Sequence, residues 1–301
     1  MGTPRVLITG GTGLLGKALV ETAPHDWEVL ATYHRTAPPV EWGSRFRHLD
    51  VQDERAVMRL VSAWHPDAVI HTASIGSVDE AERTPEPVRA VNVGGTAAVG
   101  RACRQLGAQL IFISSNAVFD GEHPPYAEAD PVRAINRYGA LKIEAEEALR
   151  AGGLPHTVIR PILLYGWPLP GGRDNVVTRW LASLERGVPV EVAADVTSMP
   201  VPAATCAEAV WAAARLKRFG IYHVAGADRL SLVAFAQETA QVFGCDERLI
   251  RPMDRSWFRE LAPRPRDTSF ITTKMERELS IRPPGIREGL LAMQRSRLPA
   301  V

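Results

Sequence analysis

The chain has 301 residues, 46% of them hydrophobic, and a formal net charge of +1; that length suits a large buried core and about two domains, and the even charge balance excludes a global attraction to nucleic acid or an anionic membrane. Cys103, Cys206 and Cys245 are odd in number, widely spaced and without a C-x-x-C, so neither a disulfide framework nor a zinc site is expected. The acidic residues are scattered without ligand spacing, so no metal is expected either.

The first strand begins almost at Met1, leaving no room for a signal peptide, and no apolar run reaches transmembrane length, so a cytoplasmic protein is expected. Arg5-Val6-Leu7-Ile8-Thr9 is a β-branched apolar run. It is followed by Gly10-Gly11-Thr12-Gly13-Leu14-Leu15-Gly16 and then by Lys17-Ala18-Leu19-Val20-Glu21, which has helical character. Strand, glycine turn and helix in that order are the context of a dinucleotide phosphate turn. Two registers are open: Gly11, Gly13 and Gly16 fit G-x-G-x-x-G, and Gly10, Gly13 and Gly16 fit G-x-x-G-x-x-G. The glycines allow a tight turn, backbone approach to pyrophosphate and helix packing on the strand, with the phosphates on the helix N-terminus. Thr12, Leu14 and Leu15 belong to the same expected cofactor-binding turn.

Trp27 to Tyr33 reads as the second strand. The sequence that ends it, Thr32-Tyr33-His34-Arg35-Thr36, lacks the carboxylate of an NAD-preferring site. Arg35, aided by His34, suits a 2′-phosphate through charge-assisted hydrogen bonds, so NADP is expected over NAD. Ala68 to Ala73, Gln109 to Ser114 and His156 to Leu164 read as further strands with helices between them, an α/β, doubly wound parallel Rossmann sheet. The turn-rich Trp167-Pro168-Leu169-Pro170-Gly171-Gly172 marks the departure from it. An NADP-binding domain is therefore expected over 1–166 and a smaller C-terminal α/β substrate-binding region over 167–301, with interleaving of segments allowed. In the latter, helices are expected near 175–186, 207–216 and 231–242, and strands near 188–192 and 220–224.

The strand from Leu110 empties into Ser114-Ser115-Asn116-Ala117-Val118-Phe119, at the carboxyl edge where open α/β sheets bind ligands; either serine suits the site. Tyr138 and Lys142 stand four apart in Asn136-Arg137-Tyr138-Gly139-Ala140-Leu141-Lys142, a helical stretch, and so share a face. A phenol beside an ammonium is a proton donor whose conjugate base is stabilised by the neighbouring charge. With five Tyr and four Lys in the chain, random placement predicts only about 0.07 such pairs at one spacing. Lys is also scarce among the 35 basic residues, which points to a need for a compact, three-donor ammonium here.

With Thr9 and the Gly10, Gly13, Gly16 register upstream, Tyr138 and Lys142 make the chain resemble the extended short-chain dehydrogenase/reductases. Within that branch it is most similar to the dTDP-4-dehydrorhamnose reductase family of sugar nucleotide reductases. The similarity is carried by residues 65–71, 77–82, 113–121, 136–146, 160–166, 220–226 and 264–270. It implies Ser115, four residues before Phe119, as the catalytic hydroxyl, Tyr138 as general acid, and Lys142 as the residue that binds nicotinamide ribose and lowers the tyrosine pKa. It also implies Asp50 and Val51 on the adenine side, Thr72, Ala73 and Ser74 as small residues under the cofactor, Asn92 as the supporting helix asparagine, and Pro161 beside the cofactor.

The implied reaction is NADPH-dependent reduction of a keto group on a nucleotide-linked deoxysugar. Ser115 and Asn116 would meet the sugar, and Asn175, Arg266, Thr197 and Ser198 are candidates for the far end. The chain departs from the family at Ile75-Gly76, where Tyr-Thr is common, at Asn116-Ala117, where Asp-Tyr is common, and at Leu163, where a tryptophan is usual. These changes remove groups that fix a sugar by hydrogen bonding and stacking, so the substrate is not expected to be dTDP-4-dehydrorhamnose itself. Two alternatives remain: a cofactor-binding regulatory subunit resembling the beta subunit of methionine adenosyltransferase, and an epimerase that retains its cofactor. Intact Ser115, Tyr138 and Lys142 favour the enzyme. A small-molecule substrate is the expected partner, nucleic acid and membrane are not, and a homodimer is allowed.

Overall fold

The computed structural model describes residues 2–254, 256 and 262–297. Strand β1 (Arg5–Thr9) leads through the glycine turn into α1 (Leu14–Glu21), followed by β2 (Glu28–Tyr33) and a short β3 (Phe46–His48). Asp53 then accepts the Ala56 N–H at 2.9 Å and caps α2 (Glu54–Trp64), whose end is set by His65 in the left-handed conformation. β4 (Ala68–His71) is followed by α3 (Val78–Arg83), α4 (Pro85–Arg89), a π-helical turn over Ala90–Gly95, and α5 (Thr96–Leu106). β5 (Gln109–Ile113), α6 (Arg137–Ala151) and β6 (His156–Pro161) complete the first half.

Beyond β6 come β7 (Leu164–Tyr165), α7 (Val176–Leu184), β8 (Val190–Ala193), β9 (Thr197–Ser198), β10 (Val201–Pro202) and α8 (Ala203–Arg215). β11 (Gly220–Val224), β12 (Leu230–Ser231), α9 (Leu232–Phe243), β13 (Ile250–Met253), α10 (Thr273–Leu279) and α11 (Ile286–Arg295) complete the chain order.

Seven strands form one sheet in the order β11-β6-β5-β4-β1-β2-β3, every pair parallel. Alternation along β1 sends Val6 and Ile8 to one face and Leu7 to the other, and all three are fully buried because helices cover both sides. Leu19 of α1, Val210 and Trp211 of α8 and Met275 of α10 close one face; Val61, Val99, Ala145 and Leu149 of α2, α5 and α6 close the other. The chain runs outward from β1 through β2 to β3, then crosses back to β4 and runs the opposite way. That reversal opens a crevice at the carboxyl ends of β1 and β4, where doubly wound sheets bind ligands.

A second core lies between α7, α9, α11 and the β8/β13 pair, with Val177, Trp180, Leu181, Phe235, Ala240 and Leu290 at its centre. The expected break at residue 166 is crossed, since α8 and β11 return to the central sheet and β11 pairs with β6 from Gly220 to Val224. The expected strand over 156–164 splits into β6 and β7, with Leu163 between them at φ +31°. Helices α10 and α11 have no counterpart among the elements expected from sequence. Their buried faces are sparse, Met275 with Leu279 and Ile286 with Leu290 and Met293. Among the described residues no helix is long and apolar enough to cross a membrane.

Two imidazoles are sealed into this core. His71 lies between Thr9 and Thr96, and His223 stacks on Phe270 with 3.8 Å between ring centroids. Burial pushes each down to about 3, helped by the charge of Lys142 at His71 and of Arg160 at His223. An unfolded histidine takes its proton near pH 6.5, so below that pH the unfolded chain binds protons the native state refuses. This contribution to stability is therefore full above 6.5 and is lost as pH falls toward 3. Chemical denaturation should show a loss of about 2 kcal/mol for each histidine between pH 7.5 and pH 5. A denaturation midpoint that does not move over that range would contradict the buried neutral assignment.

Candidate active site

The glycine turn shows which side chains it excludes. Gly10 sits at φ +72°, and a Cβ there would lie 2.7 Å from the Ala73 nitrogen; a Cβ on Gly16 would lie 2.1 Å from the Gly10 carbonyl oxygen. Gly13 is the N-cap of α1, gives no side-chain cap, and no acidic residue occupies the first helical turn. No side chain therefore caps the opening amides of α1, the condition in which a helix N-terminus can take an anion. Gly11 serves a different purpose, since a Cβ there would strike Ala31 and Phe46 on the neighbouring strands. The turn thus follows the Gly10, Gly13, Gly16 register. Leu15 is buried in the core, so only its backbone can meet a ligand, and Leu14 packs near Gly166.

The floor of the crevice is a hydrogen-bonded relay. Thr96 donates to the Asn92 carbonyl at 2.6 Å, which leaves its oxygen free to accept from His71 Nε2 at 3.1 Å. His71 Nδ1 then accepts from Thr9 at 2.7 Å, while Thr9 accepts the Ala73 N–H. Thr72 donates to the carbonyls of Thr9 and Gly10, locking β4 to the turn. Asn92 stands in the π-helical turn, a distortion frequent at functional sites. Its amide is committed to Ile75 on both backbone groups and to the Ser74 hydroxyl. It shapes the loop after β4, its oxygen taking two donors and its nitrogen giving one of its two N–H groups.

At the end of β2, Arg35 is exposed and has no carboxylate partner among the described residues. His34 lies 3.8 Å from Asp50. Burial would raise the Asp50 carboxyl, but the Gln52 amides and the charges of His34 and His48 hold it below its ordinary value. Val51 is turned into the core, where it touches Gly95. Pro161 closes β6 and is buried beside Val224.

Of the two serines after β5, Ser114 turns inward and donates to Glu146. Ser115 faces the crevice, accepting the Ala117 N–H at 3.1 Å and hydrogen bonding the Tyr138 phenol. Gly139 makes that meeting possible: a Cβ there would lie 2.0 Å from the Ala117 oxygen, so only glycine lets α6 press on the serine loop. One turn along, Lys142 is 2% exposed. Its ammonium donates to the Ile113 carbonyl at 3.0 Å and lies 5.8 Å from the Tyr138 ring centroid. Burial lowers Lys142 to about 8 against the pull of Glu146. Burial likewise raises the Tyr138 phenol, opposed by the Ser115 hydrogen bond and the charge of Arg173. Burial outweighs both, so the phenol stands above its ordinary value even with Lys142 one helical turn away. Tyr138 is a protonated acid at neutral pH.

A cavity of about 1030 Å³ lies on the side of the C-terminal region and is lined by Asp79, Asp120, Arg173, Trp180 and Arg266 among others. Arg266 stands 3.7 Å from Asp195. Asn116 spends its amide on Thr268 at 2.6 Å. Asn175 caps α7, accepting from Val177 and Thr178 and donating to the Gly166 carbonyl, so it is a structural cap. Thr197 and Ser198 form β9, with Ser198 buried. Arg173, not among the residues expected from sequence, is the cation nearest in effect to Tyr138 on this side. It follows two glycines in a turn-rich loop and carries no motif that would have marked it.

The family model for the RmlD substrate binding domain matches residues 4–297. Methionine adenosyltransferase 2 subunit beta of Rattus norvegicus is 36% identical over 163 residues, 54% of this chain and 47% of that protein, so the chain spans about half the length of this relative. The probable low-salt glycan biosynthesis reductase Agl14 of Haloferax volcanii is 28% identical over 292 residues, covering 95% of this chain and 96% of that one. Among solved structures, dTDP-4-dehydrorhamnose reductase of Bacillus anthracis in complex with NADP superposes with a TM-score of 0.86 at 25% identity, over 99% of this chain and 100% of that chain. The seven-stranded parallel sheet, the glycine turn and the match along nearly the whole length agree: this chain belongs to the RmlD substrate binding domain family.

Proposed function

We propose that the protein is an NADP-dependent oxidoreductase that reduces a keto group on a nucleotide-linked deoxysugar or a related carbonyl substrate. The observation that carries this reading is the meeting of Ser115, Tyr138 and Lys142 at the carboxyl edge of the sheet, beside a turn that admits no side chain at Gly10 or Gly16. The residues present fit the dinucleotide. The α1 N-terminus and its glycines offer a cradle for pyrophosphate, Arg35 a cation for a 2′-phosphate, and Asp50 an acceptor at the adenine end. When bound, the dinucleotide supplies the hydride. Tyr138 donates its proton to the carbonyl oxygen, Ser115 gives that oxygen a second hydrogen bond, and the buried Lys142 charge favours the phenolate left behind. The reductase in Haloferax volcanii and the NADP-bound protein in Bacillus anthracis support this reading.

A non-catalytic, cofactor-binding subunit is the second reading. It is favoured by the commitment of Asn116 to Thr268 and by Gly76, Ala117 and Leu163, which offer a sugar no polar side chain. Calorimetry separates the two in combination with dihydronicotinamide absorbance. NADPH should bind at least about tenfold tighter than NADH, a difference Arg35→Ala should erase by weakening NADPH alone. Equal weakening of both cofactors would remove the case for phosphate recognition. Consumption of NADPH with a nucleotide-linked keto sugar supports the enzyme; tight binding without turnover across such a panel favours the subunit.

A further inference from the structure

Arg173 is a cation to which the nucleotide-sugar oxidoreductase chemistry gives no part, and the role assigned to it below presupposes that chemistry. It is exposed and lines the large cavity. Two of the arginines that share the cavity lie by carboxylates, Arg264 pairing with Asp79 at 2.8 Å and Arg266 standing near Asp195. Arg173 has no carboxylate partner among the described residues, yet it projects toward the reacting end. A Cβ on Gly76 would lie 3.5 Å from its Nη1, so the guanidinium lies against the loop that follows β4.

We propose that Arg173 determines specificity by binding a carboxylate carried on the carbon next to the carbonyl that Tyr138 protonates, so that the substrate is an acidic, uronate-type nucleotide sugar. A guanidinium without a carboxylate partner in a cavity is a ready bidentate site for a carboxylate or a phosphate. Arg173 reaches Gly76 in the loop after β4, which Asn92 holds, and its charge bears on Tyr138, so it is assigned the sugar's reacting end; Arg179 and Arg266, which line the same cavity, are left to the diphosphate.

The test uses the full chain saturated with NADP and two probes that differ only at the sugar's sixth carbon, UDP-glucuronic acid and UDP-glucose, with calorimetry on wild type and Arg173→Gln. The uronate should bind at least about tenfold tighter to wild type, and Arg173→Gln should erase the difference while leaving UDP-glucose within about twofold. Equal affinities in wild type would overturn the proposal. So would an equal loss of both sugars in the variant, which would assign Arg173 to the diphosphate. If the protein binds NADP and neither sugar, the nucleotide-sugar reading falls and the proposal falls with it. An unchanged thermal midpoint in Arg173→Gln shows that the variant is folded.

Discussion

Tyr138→Phe should lower turnover by about 10²–10⁴-fold while leaving dinucleotide affinity within about twofold. The substitution removes one oxygen and little volume. The ring keeps its place one helical turn from Lys142, with the ammonium 5.8 Å from its centroid, and Gly139 still lets α6 seat against the Ala117 carbonyl. What disappears is the proton donor and its hydrogen bond to Ser115. Because burial raises the phenol, the wild-type acid is fully loaded at neutral pH. The limit on the alkaline side comes from Lys142, which sheds its charge as pH rises through about 8, so the wild-type rate should fall there. Single-turnover measurement of NADPH oxidation, set beside calorimetric NADPH binding, separates the two effects. Turnover in Tyr138→Phe within a few-fold of wild type would remove Tyr138 from the chemistry, and a matching loss of NADPH affinity would mean that the ring's role is in cofactor binding.

The parts of this site that were legible in the sequence are those where a backbone position tolerates one residue type or where spacing alone fixes a face. Gly10 and Gly16 are such positions: any side chain there collides with Ala73 or with the turn itself. The four-residue step from Tyr138 to Lys142 is another, because a helix brings them together whatever surrounds it. Illegible were the decisions made by distant contacts. Ser114 and Ser115 are adjacent in sequence, and only the packing of Glu146 under β5 turns the first inward and leaves the second in the crevice. Asn175 reads as a polar group on the substrate side, yet the start of α7 needs a cap and takes it. Gly220–Val224 reads as a strand of the C-terminal region, yet the exposed edge of β6 recruits it into the central sheet. Arg173 belongs to no motif, and its place near Tyr138 is set by the path of the loop before α7.

Arg160→Met should destabilise the fold by about 3–5 kcal/mol, the cost of leaving one member of a buried ion pair alone. Arg160 is 1% and Glu146 2% exposed. The guanidinium donates to both carboxylate oxygens, at 3.0 Å from Nε and 2.6 Å from Nη2, and lies 5.4 Å from the Phe119 ring centroid. Glu146 also accepts from Ser114 and sits one helical turn beyond Lys142, whose charge it favours. Without Arg160 the carboxylate loses its bidentate partner in a site that water does not reach. The double variant Arg160→Met with Glu146→Met exchanges the pair for apolar volume and should recover most of the loss, since a buried pair adds little over well-packed hydrophobic groups. Urea denaturation of the wild type, both single variants and the double variant measures the coupling as a thermodynamic cycle. A double variant no more stable than Arg160→Met would show that the pair's role lies in its contacts with Ser114 and Phe119. In the expected case the double variant folds, but Ser114 and Lys142 have lost the carboxylate they share. A fold retained at near wild-type stability with depressed turnover would then show that this buried pair is kept for where it holds the ends of β5 and α6, beside Ser115 and Tyr138.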